Sequence, residues 1–325
     1  MRKINFNDIY DTIIIGGGPT GMTAATYLRS ENRKILVIDK NEKCGGQLKY
    51  IFNIKNYPAC ENISGEKLAD KMFKQMINRG AQYLKAEVDN VVRLENNYFK
   101  IILKNTDKTL VARSVLLAAG LDYKKPDSIE NIEQYENKGL YYHVYNDNEM
   151  YKNNVVAVIG NSDMAFHYAL LLKDKCKDII IVIDKEAPEV KSKQLIDNFE
   201  KADTSNIFMI TNTKLCKIEA DDNKIKSLIL DQQVENKKIR LEVDKVIIAI
   251  DQKPNIAKIA NSVGLQINES GYASASDLNG FYVSGDCAIK KYRQVAIAVG
   301  LGAYKALDIL EYLRKLDTET NKETK

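Results

Sequence analysis

The sequence has no run of apolar residues approaching the ~20 that a bilayer-spanning helix needs, so no membrane partner is expected. The first residues, Met1-Arg2-Lys3-Ile4-Asn5-Phe6, lack the apolar stretch of a signal peptide, and the expected location is cytoplasmic. No strong charge of one sign is present. Forty-eight Lys and Arg face 44 Asp and Glu, a net charge of +4 with no long basic cluster, which argues against a nucleic-acid partner. Cysteine is sparse and scattered: Cys44, Cys60, Cys176, Cys216 and Cys287. An odd number with no close pair argues against a secreted disulfide framework and against a zinc knuckle, and no metal is expected. No CxxC occurs anywhere, and only two histidines are present, His143 and His167. The polar segment Asp317–Lys325 is expected to fray.

What the chain does have is length for two medium domains and one pattern written twice. The first copy runs from the apolar stretch Tyr10–Ile15 into Gly16-Gly17-Gly18-Pro19-Thr20-Gly21 and on into Met22–Leu28. A β-branched run bounded by glycines reads as a buried parallel strand. Gly16, Gly18 and Gly21 then supply the G-x-G-x-x-G spacing. The first permits a tight turn, the second lets a pyrophosphate approach the backbone, and the third lets helix and strand pack closely. A second strand, Lys34–Ile38, ends in Asp39, about twenty residues past the first glycine, where an acid suits a ribose hydroxyl pair. Strand before, helix after and acid at this distance together point to a bound dinucleotide.

Further along, Gly45-Gly46-Gln47-Leu48, Asn56-Tyr57-Pro58, Ile63-Ser64-Gly65, Val115–Gly120, Phe281–Asp286, Tyr292-Arg293-Gln294 and Gly300-Leu301-Gly302 complete a series of short motifs in order. Over nearly its whole length the chain resembles the low-molecular-weight thioredoxin reductases, a class II branch of the FAD-dependent pyridine nucleotide–disulfide oxidoreductases. The resemblance implies an α/β fold of two Rossmann-like (three-layer ββα) domains, the second inserted into the first. The FAD domain would be made of residues 1–121 and 246–325, with 122–245 inserted. Val246–Ile250 would be the strand that returns the chain to the FAD domain. Carried over residue by residue, the FAD contacts fall on Gly16, Gly18, Pro19, Thr20, Gly21, Asp39, Lys40, Gly46, Gln47, Leu48, Asn56, Val88, Ala119, Gly120, Gly285, Asp286, Arg293, Gln294 and Val295. Arg293-Gln294-Val295 would open a helix whose positive end faces the flavin edge and favours the reduced, anionic ring. A homodimer is implied as well.

The second copy is eroded. It reads Val155–Ile159, then Gly160-Asn161-Ser162-Asp163-Met164-Ala165, where the family has G-G-G-x-x-A. Side chains at Asn161 and Ser162 stand where backbone should approach a pyrophosphate, although a serine can itself donate to phosphate. The following strand, Asp178–Ile183, ends in Asp184, where the family has basic residues for the NADPH 2′-phosphate; an acid there disfavours NADPH. If a nicotinamide nucleotide binds, NADH is the better fit. The family's CxxC falls on His143-Val144-Tyr145-Asn146, which cannot do thiolate chemistry. His143 is the candidate acid or base there, against the plainer reading of a loop histidine. Cys44 and Cys60, which flank the flavin loops, are a conceivable substitute dithiol, against a reading as packed hydrophobes.

These features lead to the expectation of an FAD-dependent oxidoreductase without a CxxC and without ordinary NADPH use. It would take electrons from ferredoxin, flavodoxin or NADH. Two other readings stay open: a ferredoxin–NAD(P) reductase-like enzyme, and a non-catalytic FAD-bound sensor or partner-binding dimer.

Overall fold

The computed structural model describes residues 4–222, 224–273 and 277–323. They divide into two units, one from residues up to Asp122 and from Lys253 onward, the other from Tyr123–Gln252. The first unit is built on an eight-stranded sheet. Ile9–Ile15 pairs in parallel with Ile35–Asp39 on one side and Thr109–Leu117 on the other, and Gln82–Lys85 and Phe281–Val283 extend the parallel set. Val88–Arg93 and Phe99–Leu103 continue from Thr109–Leu117 as an antiparallel meander.

The period-2 side-chain alternation of a strand feeds two cores at once. Ile13 and Ile15 face one side, with Leu36, Ile38, Val91, Phe99 and Ile101 from the meander side. Ile14 faces the other, with Met22, Ala25 and Leu28 of the Pro19–Leu28 helix and Ile309, Leu310 and Leu313 of the long C-terminal helix Val295–Glu323. Helices, parallel sheet and meander make three layers, as the apolar run at Tyr10–Ile15 and the helix after Gly18 required.

The second unit repeats the plan on a smaller scale. Its five-stranded parallel sheet runs Ile207–Ile210, Asp178–Val182, Val155–Ile159, Lys245–Ile248, Leu140–Tyr141. A separate antiparallel sheet, Thr213–Asp221, Lys224–Gln232 and Lys237–Glu242, shares its core through Leu215, Ile218, Leu228 and Leu230.

Two expectations are corrected here. The return boundary lies at residue 253, seven residues past the expected 246, because Lys245–Ile248 hydrogen-bonds beside Val155–Ile159, with Ile247 opposite Val158, inside the inserted unit's own sheet. Asp317 is also not part of a frayed end: the C-terminal helix runs on to Glu323, and the Asp317 carboxylate pairs with Arg33 at 2.7 Å and Arg113 at 2.5 Å. Residues 324 and 325 of that polar segment, and residues 1–3 of the N-terminal stretch, lie outside the described residues.

Candidate functional site

The glycine turn of the first unit is shaped by contacts that leave no room for side chains. A Cβ on Gly16, which sits at φ +111°, would lie 2.2 Å from the Ala118 carbonyl oxygen. One on Gly21 would lie 2.0 Å from the Gly16 carbonyl oxygen. Gly18 differs, since a Cβ there would meet nothing within 4 Å. The space above the turn is therefore open, at the end of the Pro19–Leu28 helix where N–H groups and the helix dipole favour an anion. Gly18 caps that helix without a side-chain hydrogen bond, and Pro19 stands in its first turn.

Asp39 closes the turn from the next strand. Its Oδ2 accepts from the Gly17 N–H at 2.7 Å, and its Oδ1 accepts from Asn41 N and Nδ2 at 2.9 and 2.8 Å. Lys40 is exposed just beyond it. The Gly45 N–H donates to the Gly17 carbonyl at 2.7 Å, which brings the Gly46-Gln47-Leu48 segment over the turn. An added Cβ on Gly46 would stand 3.4 Å from Gly18 Cα. Gln47 Nε2 donates to the Leu121 carbonyl at 2.9 Å, next to Ala119 and Gly120, whose open φ of +66° turns the chain out of the sheet. Leu48 is buried with Ile54, Ile63 and Leu68.

Thr20 links these residues to the far end of the chain. Its hydroxyl donates to the Ala298 carbonyl at 2.9 Å, a Cβ on Gly285 would lie 2.6 Å from its Oγ1, and one on Gly302 would lie 2.3 Å from its carbonyl oxygen. Gly285-Asp286 and the first turn of the C-terminal helix thus sit against the glycine turn. Asp286 is partly buried. Burial pushes its carboxyl upward, and the nearby Arg293 guanidinium offsets part of that. Arg293 is held by the Tyr272 hydroxyl, Gln294 Oε1 accepts from Asn56 Nδ2 at 2.8 Å, and Val295 begins the helix. Val88 lies two residues past Ala86, whose N–H donates to the Asp39 carbonyl at 3.0 Å, and the Val88 side chain packs on the meander core. The predicted residues thus converge on one cradle within one unit, Val88 through its backbone neighbourhood and Lys40 only at the rim. Asn41 and Tyr272 were not singled out from the sequence. Asn41 stands two residues past Asp39, a spacing at which a side chain can bond back, but nothing in the sequence links Tyr272 to Arg293.

Cys44 is buried against the turn: a Cβ on Gly17 would stand 2.5 Å from its Sγ. Burial first, then the Asp39 charge, pushes its thiol up to about 12, so it has almost no thiolate at neutral pH. Cys60 lies in a different cluster, with Ile54 and Ile63. The structure gives Cys44 the character of a packed hydrophobe.

The corresponding turn of the second unit keeps one contact of this kind, with a Gly160 Cβ 2.1 Å from the Ala249 carbonyl oxygen. Ser162 occupies the N-cap of the Asp163–Leu172 helix without a side-chain cap. The segment after Asp178–Val182 folds onto this turn. The Glu189 N–H donates to the Asn161 carbonyl at 2.6 Å, and Asp163 Oδ1 accepts from the Lys191 and Ser192 N–H groups, both at 3.0 Å. His167 lies exposed on the same helix.

His143 sits in an aromatic nest. Its ring lies 4.3 Å from Tyr145, edge-on, and 6.2 Å from Tyr123, which stacks at 5.4 Å on Tyr142. The loop is pinned by the fully buried Tyr151, whose hydroxyl accepts from the Tyr145 N–H at 2.9 Å, and by Asp147, which caps the Asn148–Tyr151 helix. His143 is 9% exposed, and burial pushes its imidazole down to about 4. At neutral pH it is uncharged and has no proton to give as an imidazolium, which bears against the acid half of the expected acid-or-base role.

The pyridine nucleotide–disulphide oxidoreductase family matches residues 10–302. The chain belongs to this family. It is 30% identical to thioredoxin reductase of Bacillus subtilis over 316 residues, covering 95% of this chain and 96% of that protein. Among solved structures it is similar to Lactococcus lactis thioredoxin reductase, with a TM-score of 0.81 at 26% identity, covering 94% and 99% of the two chains. The fold alone is shared with a bacillithiol disulfide reductase of Bacillus cereus, TM-score 0.74 at 16% identity over 93% of this chain and 99% of that one. This member of the family is a flavin-dependent oxidoreductase of thioredoxin-reductase type with FAD as its cofactor. Among the described residues no helix is long and apolar enough to cross a membrane.

Proposed function

We propose that this oxidoreductase passes electrons through FAD without a dithiol of its own, and that ferredoxin, flavodoxin or NADH, in place of NADPH, supplies them. The observation that carries this reading is the loop His143–Asn146. Where the resemblance calls for two thiols, the chain has a buried neutral histidine in an aromatic nest and an exposed asparagine.

FAD would be held by the cradle of the first unit. Gly18 leaves room for the pyrophosphate, Gly16 and Gly21 allow the tight turn and close helix packing beneath it, and Pro19 and Thr20 start the helix whose amides face it. Asp39 would take the ribose hydroxyls, with Lys40 and Val88 bordering the adenosine side. Gly46, Gln47, Leu48, Asn56, Ala119 and Gly120 would flank the flavin side. Gly285 and Asp286 would meet the ribityl and pyrophosphate region, and Arg293, Gln294 and Val295 the ring edge. The open space over Gly18 and the convergence of these residues on Thr20 fit that group. Bound there, FAD supplies reversible electron transfer between a donor and an acceptor.

Three residues support the loss of ordinary NADPH use. Asn161 and Ser162 replace glycines of the second turn, and Asp184 would repel a 2′-phosphate. A homodimer and a cytoplasmic location belong to the same proposal. Anaerobic stopped-flow at the flavin absorbance band tests it, comparing NADH, NADPH and reduced ferredoxin. Fast bleaching by ferredoxin or NADH is expected. Robust turnover of thioredoxin with NADPH would sink the proposal.

A further inference from the structure

The loop that leads into the C-terminal helix carries an exposed cationic and aromatic cluster beside the FAD cradle. Lys290 and Lys291 are exposed, and Tyr292 is 76% exposed. Of the next two residues, Arg293 turns inward to the Tyr272 hydroxyl, and Gln294 bonds at the surface to Asn56 at 2.8 Å. That second bond brings exposed Lys55 to the same surface. Among the described residues, none of Lys55, Lys290 and Lys291 has a carboxylate within 4.0 Å. The nearest acids in sequence are Glu61, on the same loop as Lys55, and Asp286, which is partly buried and faces Arg293.

Tyr292 also has φ +58°. The other described non-glycine residues at positive φ are asparagines, one aspartate and one alanine. A bulky aromatic in the left-handed region is strained, and here no burial offsets the strain. Strain of this kind persists at ligand and partner contacts, and exposed tyrosines are favoured contact residues at protein interfaces.

We propose that Lys55, Lys290, Lys291 and Tyr292 form the docking face for an acidic one-electron carrier protein, with Tyr292 as its aromatic contact. The inference rests on the donor reading above and names the surface that reading needs. Thr20, in the glycine turn, is bonded to Ala298 in the first turn of the same helix, so a carrier seated here lies beside the cradle. Each encounter oxidises one carrier by one electron, and two encounters, with protons from solvent, supply a two-electron reduction. The unpaired lysines attract an acidic partner over a Debye length and fix its approach.

The test uses the FAD-loaded enzyme, with oxidised ferredoxin and flavodoxin as binding probes in titration calorimetry. The Lys55→Glu/Lys290→Glu/Lys291→Glu variant should bind about tenfold or more weakly at low salt, and the difference should shrink as salt rises. Tyr292→Ala should weaken binding by about tenfold with an unchanged salt slope. Lys71→Glu/Lys74→Glu, in a surface groove on the Gly65–Asn78 helix that also includes Gln75, Asn78 and Arg79, is the control and should bind as the wild type does. Flavin content and reduction by dithionite should be unchanged in all variants. Equal weakening in the control, or none in the triple variant, overturns this docking face. Tight binding without flavin reduction by the reduced carriers leaves the face standing and overturns the carrier-protein half of the donor reading. A wild type that binds neither carrier overturns the docking face and leaves NADH as the donor for the stopped-flow comparison to decide.

Discussion

Burial of His143 predicts a pH dependence that can be read on the inserted unit alone. The imidazole ordinarily titrates near 6.5 and is pushed down to about 4 in the folded chain. Between those values the unfolded chain binds a proton that the native state does not. Stability therefore rises with pH across this window and is lost as pH falls from about 6.5 toward about 4. At ~1.4 kcal/mol per pH unit, the loss between pH ~7.5 and ~4.5 comes to roughly 2–3 kcal/mol. His143→Phe removes the titration and keeps an aromatic ring against Tyr145 and Tyr123. Carboxylates and the exposed His167 titrate alike in both proteins, so the difference isolates one residue. The assay is native-state hydrogen exchange of the Val155–Ile159 amides in mild denaturant, which reports opening of this sheet. Stabilisation of the variant relative to wild type should grow by roughly 2–3 kcal/mol on going from pH ~7.5 to ~4.5. A constant difference would refute the reasoning, as would an imidazole that titrates above 6 by NMR. Either result would also reopen a proton-transfer role for His143.

Two other outcomes follow from contacts in the first unit, and a third from the state of the cysteines. Gly21→Ala puts a Cβ 2.0 Å from the Gly16 carbonyl oxygen, so the turn must deform, at a cost of ~1–3 kcal/mol. Co-purified flavin should fall by roughly tenfold or more, and a variant as yellow as wild type would contradict the turn's role. Asp317→Asn breaks the pairs to Arg33 and Arg113; after solvent screening the cost should be ~1 kcal/mol in urea unfolding at pH ~7. Burial raises the Asp317 carboxyl, but the Arg33 and Arg113 guanidiniums outweigh it and hold it below the usual range. The gap to wild type should therefore close as pH falls through the folded value, and a gap that persists at low pH would count against the pair. Finally, all five cysteines are free, so thiol titration in denaturant should count the same number before and after anaerobic reduction. A higher count after reduction would revive the Cys44–Cys60 dithiol.

Much of the first unit is legible in its sequence. The strands and the glycine turn followed from β-branched runs beside glycines, because local sterics and the period-2 pattern decide such elements within a few residues. The return boundary was misplaced because a buried parallel strand looks the same in either sheet; only the pairing of Ile247 with Val158 assigns it. Asp317 was misread for a related reason. A polar tail gives no sign that a carboxylate on it will meet two guanidiniums far away in sequence, Arg33 from a loop and Arg113 from a strand.

The sequence by itself determined the family frame, the open dinucleotide turn, the missing CxxC and the acid at Asp184, since each depends on residue type at fixed spacing. Tertiary structure decided which of these residues meet. It gathered Thr20, Gly285 and Ala298 from the two ends of the chain and buried Cys44 beyond easy ionisation. It also enclosed His143 among tyrosines, where an imidazole stays neutral. Burial and long-range contact set a side chain's charge, and neither is written in local sequence.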